Sequence, residues 1–105
     1  MVKRFDVCLI SLDQTKGQEI KKTCPCVVLS PNDMNNLDTM IVAPMTTKLK
    51  VFPMRVPVVF DKKKGIIALD QIRTIDKSRI VTHLGSISHK VGSICLEVLR
   101  EMFEN

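Results

Sequence analysis

A single stretch of this 105-residue chain carries a helical period, and it comes last. Val91, Ile94, Cys95, Val98, Leu99 and Met102 recur at spacings of three, one, three, one and three, which makes one apolar stripe of an amphipathic helix. Ser88 stands where an N-cap belongs, so the pattern predicts a helix near 88–103. Upstream the chain is written in short apolar runs broken by turn residues. Residues 5–12 have apolar side chains on both faces and read as a central strand. Cys26–Leu29 is a second buried run, and Thr39–Met45 a third, with an interruption expected at Pro44. Residues 54–60 alternate, with Met54, Val56, Val58 and Phe60 on one face, and Pro57 marks an edge strand or a bulge. Asp61–Gly65 reads as a turn, Ile66–Leu69 as the returning strand, and Arg79–Leu84 as another. Ser30–Pro31 predicts a short helix near 31–36, and Asp13–Thr23 a long exposed loop. Short strands with one terminal helix describe a mainly β chain (α+β), a strongly curved antiparallel sheet or partly open barrel.

The chain has room for one domain, spanning 1–105. It carries four Phe but no Trp or Tyr, so aliphatics and six Met must fill a small core. Dimerisation is an expected source of further stability for a domain of this size. No segment approaches the roughly 20 apolar residues of a membrane span, and Met1–Asp6 lacks the apolar core of a secretory leader. A cytoplasmic location is therefore expected. In that compartment Cys8, Cys24, Cys26 and Cys95 do not point to a disulfide framework. Cys24-Pro25-Cys26 is too tight for a zinc knuckle and no second ligand pair follows, so no metal or cofactor is expected. A net charge of +5, from 16 Lys and Arg against 11 Asp and Glu, favours an anionic partner.

Three polar stations fall between the apolar runs. They are Lys16–Thr23, then Thr46-Thr47-Lys48, then Asp70–Asp76 with Gln71 and Arg73. Residues at strand ends converge on one rim of a small barrel, where sites are built. Hydroxyls and amides there can meet phosphates and base edges while Lys and Arg supply the field. Each station also has an ordinary structural reading. A Thr pair can satisfy loop backbone groups, Asp70 and Asp76 can cap turns, Arg73 and Asp76 can pair, and Lys62–Lys64 can be a solvated hairpin tip. Neither His83 nor His89 belongs to a recognisable catalytic set, and no phosphate-binding P-loop or dinucleotide fingerprint is present.

Taken in order, these pieces resemble the MazF/PemK/Kid family of toxin endoribonucleases over essentially the whole chain. The matching residues are Arg4-Phe-Asp-Val7, Lys16-Gly-Gln-Glu19, Pro25–Pro31, Ile41-Val-Ala-Pro-Met-Thr46 and Asp70–Arg79, followed by Gly85 and the terminal helix. The resemblance implies an SH3-like barrel, a homodimer, single-stranded mRNA as substrate, and a MazE/PemI-type antitoxin whose tail fills the RNA groove. It implies metal-independent cleavage in which a 2′-hydroxyl attacks the neighbouring phosphorus. An Arg just before the Pro of the second strand and a Thr after the third carry that chemistry in the family. Thr46 matches the Thr, and Cys24 occupies the Arg position. Gln18, Glu19, Thr47, Lys48, Asp70 and Gln71 fall at RNA-contacting positions.

A second branch of the family uses an Asp with an Arg two residues before it and a His after the loop Gly. Asp70 matches that Asp, while the other two positions hold Ala68 and Gln18. A thiol is short and lacks the fixed charge and forked donors of a guanidinium. The expectation is thus a toxin endoribonuclease weakened at Cys24. The alternatives are a non-catalytic RNA- or antitoxin-binding member, or a gyrase-poisoning toxin of the CcdB type on the same fold.

Overall fold

The computed structural model describes residues 2–12, 23–48 and 53–104. Seven strands and one helix occupy them: β1 (Asp6–Ser11), β2 (Thr23–Val28), β3 (Thr39–Thr46), β4 (Arg55–Phe60), β5 (Lys63–Ala68), β6 (Arg73–Asp76), β7 (Ile80–Ser86) and α1 (His89–Met102). The antiparallel sheet runs β4-β5-β3-β2-β1-β7, with β6 also paired to β3. It curls into a half-barrel, mainly β with one C-terminal helix, as the strand pattern predicts.

Alternation along the strands gives the sheet two buried faces. One carries Val7, Val27, Ala43, Met45, Val56 and Ile67 toward α1 and Cys95. The other carries Cys8, Ile10, Cys26, Val28, Met40, Val42 and Ile75. β1 lies between β2 and β7, which explains its apolar residues on both sides. β4 is an edge strand, so Pro57 needs no ladder partner on its outer side.

Several local expectations change. The helix near 31–36 is a single 3₁₀ turn, Asn32–Met34. Ser30 does not cap it, because its hydroxyl accepts the Ile41 N–H at 3.2 Å. β3 runs through Pro44 without a break. Leu29 N donates to Ile41 O at 2.8 Å, so odd-numbered residues of β3 turn their backbone groups toward β2. Pro44 therefore faces the other side, where pairing to β6 ends at Val42 and pairing to β5 begins at Met45. No donor is required there.

The turn expected over 61–65 is only Asp61-Lys62, both at positive φ (51° and 65°), as a two-residue hairpin of matching twist demands. Lys63 and Lys64 are already in β5. Arg73–Asp76, read as loop, is β6, paired Val42↔Arg73 and Met40↔Ile75.

Helix α1 starts as predicted, with Ser88 Oγ accepting the Val91 N–H at 3.1 Å. Its buried line runs through Gly92 and Cys95, flanked by Val91, Val98 and Leu99. Ile94, assigned to the stripe from spacing, is 45% exposed. It stands one residue, about 100°, away from Cys95 on the helix. No helix among the described residues is long and apolar enough to cross a membrane.

Candidate functional site: the end of β2 and β3

The β2–β3 ladder pairs Val28↔Val42, Val27↔Ala43 and Cys26↔Pro44. Continued by two residues, the same register sets Cys24 opposite Thr46, with both side chains on the face of Cys26 and Val42. Between them, Pro25 falls opposite Met45. Met45, like Ile41, turns its carbonyl toward β2, but Pro25 has no N–H to give it. The thiol of Cys24 takes up that acceptor, with Sγ 3.7 Å from Met45 O and 3.4 Å from Pro25 O. Residue 24 thus projects its side chain to the point where the ladder stops.

Thr46 closes the other strand. Its Oγ1 accepts the Lys48 N–H at 3.1 Å, so the ordinary reading, a hydroxyl satisfying loop backbone, holds here. The bond also fixes where the remaining hydroxyl proton can point. Thr47 and Lys48 follow on exposed chain. Beside them lies a hollow of about 530 Å³ lined by Pro25, Met45, Thr46 and Thr47, by Phe60, Asp61, Lys63, Lys64 and Gly65 of the β4–β5 hairpin, and by Leu84–Ser86. The lysines expected at a hairpin tip therefore divide, and Lys63 and Lys64 edge this hollow. A Cβ on Gly65 would lie 3.0 Å from Thr46 O, so glycine lets the hairpin approach the Thr46 backbone.

Asp70 and Gln71 sit in a 3₁₀ turn, Leu69–Gln71, beyond the far end of β5. Thr46 pairs with Ile66 and Val42 with Arg73, so Asp70 falls between those two levels of β3, off the ladder. Asp70 is not a turn cap but an ion-pair partner. Its two oxygens receive Arg55 Nε at 3.1 Å and Nη2 at 3.2 Å. That guanidinium holds the Asp70 carboxyl below the usual carboxylate range. Asp76 does serve as a cap, accepting from Ser78 N at 2.8 Å, and this bond keeps it ionised to lower pH. Gln18 and Glu19 lie outside the described residues.

One residue, Arg55, escaped the sequence reading, and Arg73 was read without its place on the sheet. Arg55 pairs directly with Ala68, so a guanidinium stands on the same face and at the same level as position 68, supplied by the neighbouring strand. Arg73, directly opposite Val42, shares the face of Cys26 and exerts its positive field there.

The thiols differ sharply. The Cys26 thiol donates to Cys24 O, with Sγ 3.6 Å from it. The neighbouring Cys26 thiol lowers the Cys24 pKa to about 7 against the opposing effect of burial. The Cys24 thiol beside it, together with burial, pushes Cys26 upward.

Residues 3–103 match the description of a PemK-like, MazF-like toxin of type II toxin-antitoxin systems. The chain belongs to this family. It is 33% identical over 95 residues to the endoribonuclease toxin MazF of Escherichia coli K12, covering 84% of this chain and 86% of that protein. Among solved structures it is similar to a mycobacterial endoribonuclease in complex with its cognate antitoxin, with TM-score 0.82, 18% identity, and 96% and 93% of the two chains covered. MazF from Deinococcus radiodurans follows with TM-score 0.79, 21% identity, and 96% and 94% covered. At those identities the structural likeness establishes the fold. Within the PemK-like, MazF-like toxins, the end of β2 and β3 is where this chain sets Cys24 beside Thr46.

Proposed function

We propose that this chain is the toxin of a type II toxin–antitoxin pair that binds single-stranded mRNA at the Cys24–Thr46 edge, with cleavage weakened by Cys24. The observation carrying the reading is that residue 24 reaches the backbone of Met45 at the end of the ladder, next to Thr46, while Thr46 itself lines a hollow edged by Lys63 and Lys64. Cleavage needs no metal: the 2′-oxygen attacks the adjacent phosphorus and the 5′-oxygen leaves. A base takes the 2′ proton, an acid protonates the 5′-oxygen, and donors stabilise the crowded phosphorane. Thr46, oriented by Lys48 N, has its hydroxyl proton to offer a phosphate oxygen. Residue 24 should offer a fixed cation, and a thiol there supplies none.

Thr47 and Lys48 continue the RNA path from Thr46, and the family resemblance adds Gln18 and Glu19 as RNA contacts. Asp70 and Gln71 contact the RNA from the turn that follows β5. The assembly is a homodimer, and a MazE-type antitoxin competes with RNA for the same groove.

The test compares cleavage of mixed-sequence single-stranded RNA by this chain and by Cys24→Arg, in the presence of a chelator. Restoring the guanidinium should raise the rate on the order of 10²-fold. Equal rates in the two proteins would show that residue 24 carries no catalytic charge. RNA retention without products, even after Cys24→Arg, identifies the chain instead as a non-catalytic binder, a reading that Cys24 itself favours.

A further inference from the structure

The curled sheet is open, with β4 and β7 as its two edges, and those edges approach each other at Gly85. A Cβ on Gly85 would lie 3.3 Å from Phe60 Cζ, so the ring at the end of β4 abuts the backbone of β7. Gly85 has φ 148°, where a side chain would be strained as well as crowded. The hollow of about 530 Å³ opens at this seam and continues to Thr46 and Thr47. Phe60 pairs with Lys63, so the two share one face of the hairpin. The next residue of β5 on that face is Gly65, which adds no side chain.

The lining divides by chemistry. Phe60, Met45 and Leu84 are apolar, and Leu84 keeps 44% of its surface exposed. Asp61 brings a carboxylate, and Lys63 and Lys64 bring ammonium groups. None of these charged side chains has an ion-pair partner among the described residues. The volume lies within the range of about 300–1,000 Å³ typical of sites for small organic ligands. A nucleotide splayed out of a single strand asks for the same three things: apolar walls for its base, a polar group at the base edge, and cations for its phosphates.

We propose that this hollow is a base-selecting subsite of the RNA groove, which takes one nucleotide beside Thr46 and prefers a base with an exocyclic amine, so cytosine over uracil. The inference rests on the proposed RNA reading and names the residues that set sequence preference within it. Phe60 and Leu84 cover the base. The Asp61 carboxylate accepts from the amine, as carboxylates do from cytosine N4. Uracil places a carbonyl oxygen at that point, and the carboxylate repels it. Lys63 and Lys64 meet phosphates, which hold the strand and carry no sequence information. Asp61 is thus the specificity-determining residue, and the two lysines supply affinity.

The full chain is titrated against fluorescein-labelled oligocytidine and oligouridine of equal length, read by anisotropy at several salt concentrations. Both carry 2′-fluoro sugars, which lack the attacking hydroxyl, so binding is measured without cleavage. Equal length gives equal phosphate charge, and the electrostatic part of binding cancels from the ratio of the two affinities. Asp61→Asn keeps the residue's shape and tolerates the left-handed backbone at φ 51°, but its amide donates as well as accepts. It should lower the cytosine-over-uracil ratio about tenfold, the low end for a hydrogen bond to a charged group. Lys63→Gln and Lys64→Gln should weaken both oligomers alike, each reducing the salt slope by about 0.7. Leu84→Ala should weaken oligocytidine binding with the salt slope unchanged, and circular dichroism checks that every variant is folded. An unchanged ratio in Asp61→Asn, or unchanged oligocytidine affinity in Leu84→Ala, overturns the subsite while the RNA reading stands. A parent chain that binds neither oligomer overturns both.

Discussion

Gly92→Ala sets two properties of α1 against each other. Inside a helix, alanine is favoured over glycine by about 1 kcal/mol. Yet a Cβ on Gly92 would stand 2.5 Å from Phe5 Cε2 and Cζ and 2.7 Å from Cδ2, far inside carbon contact distance. The ring is not free to swing clear. Phe5 is held at φ 77°, its N–H bonded to Val28 O at 2.7 Å and its carbonyl accepting from Ile87 N at 2.9 Å. Its ring also meets His89 edge-on, with centroids 6.2 Å apart. Forcing a methyl into such a contact costs about 1–3 kcal/mol. Overpacking wins, leaving a net destabilisation of about 1 kcal/mol, or a Tm lower by about 4–8 °C for a domain near this size. Thermal unfolding followed by circular dichroism reads the shift. In a Phe5→Leu background the clash is gone, and Gly92→Ala should stabilise by about 1 kcal/mol, giving a coupling of about 2 kcal/mol between the two positions. A Gly92→Ala protein that melts at or above the parent temperature refutes the reasoning.

Two further substitutions test the site's geometry. Arg55→Ala should let the Asp70 carboxyl rise toward about 4, read by NMR titration. The Asp70 carboxyl is held low only in the folded chain, so the pair stabilises above the ordinary Asp range and that contribution is lost as pH falls through the depressed value. The variant should therefore be less stable by about 0.5 kcal/mol at neutral pH, a partly exposed pair being screened, and the difference should vanish in acid. Pro25→Ala gives Met45 O the backbone donor it lacks. The new amide at residue 25 should be protected in hydrogen exchange, and an amide exchanging at the free rate contradicts the extended β2–β3 register.

What could be read from sequence follows from how locally each element is determined. α1 carries its own period and cap, and β4 carries its own alternation with an edge proline, so both were legible. β6 was not, because Arg73-Thr-Ile-Asp76 has one buried residue, Ile75, and exists as a strand only by pairing with β3. The β4–β5 hairpin shows how one misplaced turn hides a site residue. A turn over 61–65 pairs Phe60 with Ile66 and carries Arg55 past Asp70 to Gln71. The observed turn at Asp61-Lys62 pairs Phe60 with Lys63 and sets Arg55 opposite Ala68. Lys62–Lys64 reads as one solvated run, and composition gives no hint that the strand resumes inside it. The Cys24–Thr46 pairing was accessible only through resemblance, since nothing local to either segment fixes the β2–β3 register.

The lone N–H missing at Pro25 explains why a strand end can serve as a site at all. In an unbroken ladder Met45 O would accept from residue 25, and the side chain of residue 24 would have no polar feature to seek. With proline there, the acceptor is exposed at the point where β3 passes into Thr46, and residue 24 is drawn to it. A long cationic side chain could satisfy that carbonyl and still present donors to a phosphate beyond it. A thiol is too short to do both. On the proposed reading, the backbone half of the site is present in this chain while its cation is missing. A single substitution at position 24 should consequently move cleavage far more than it moves folding.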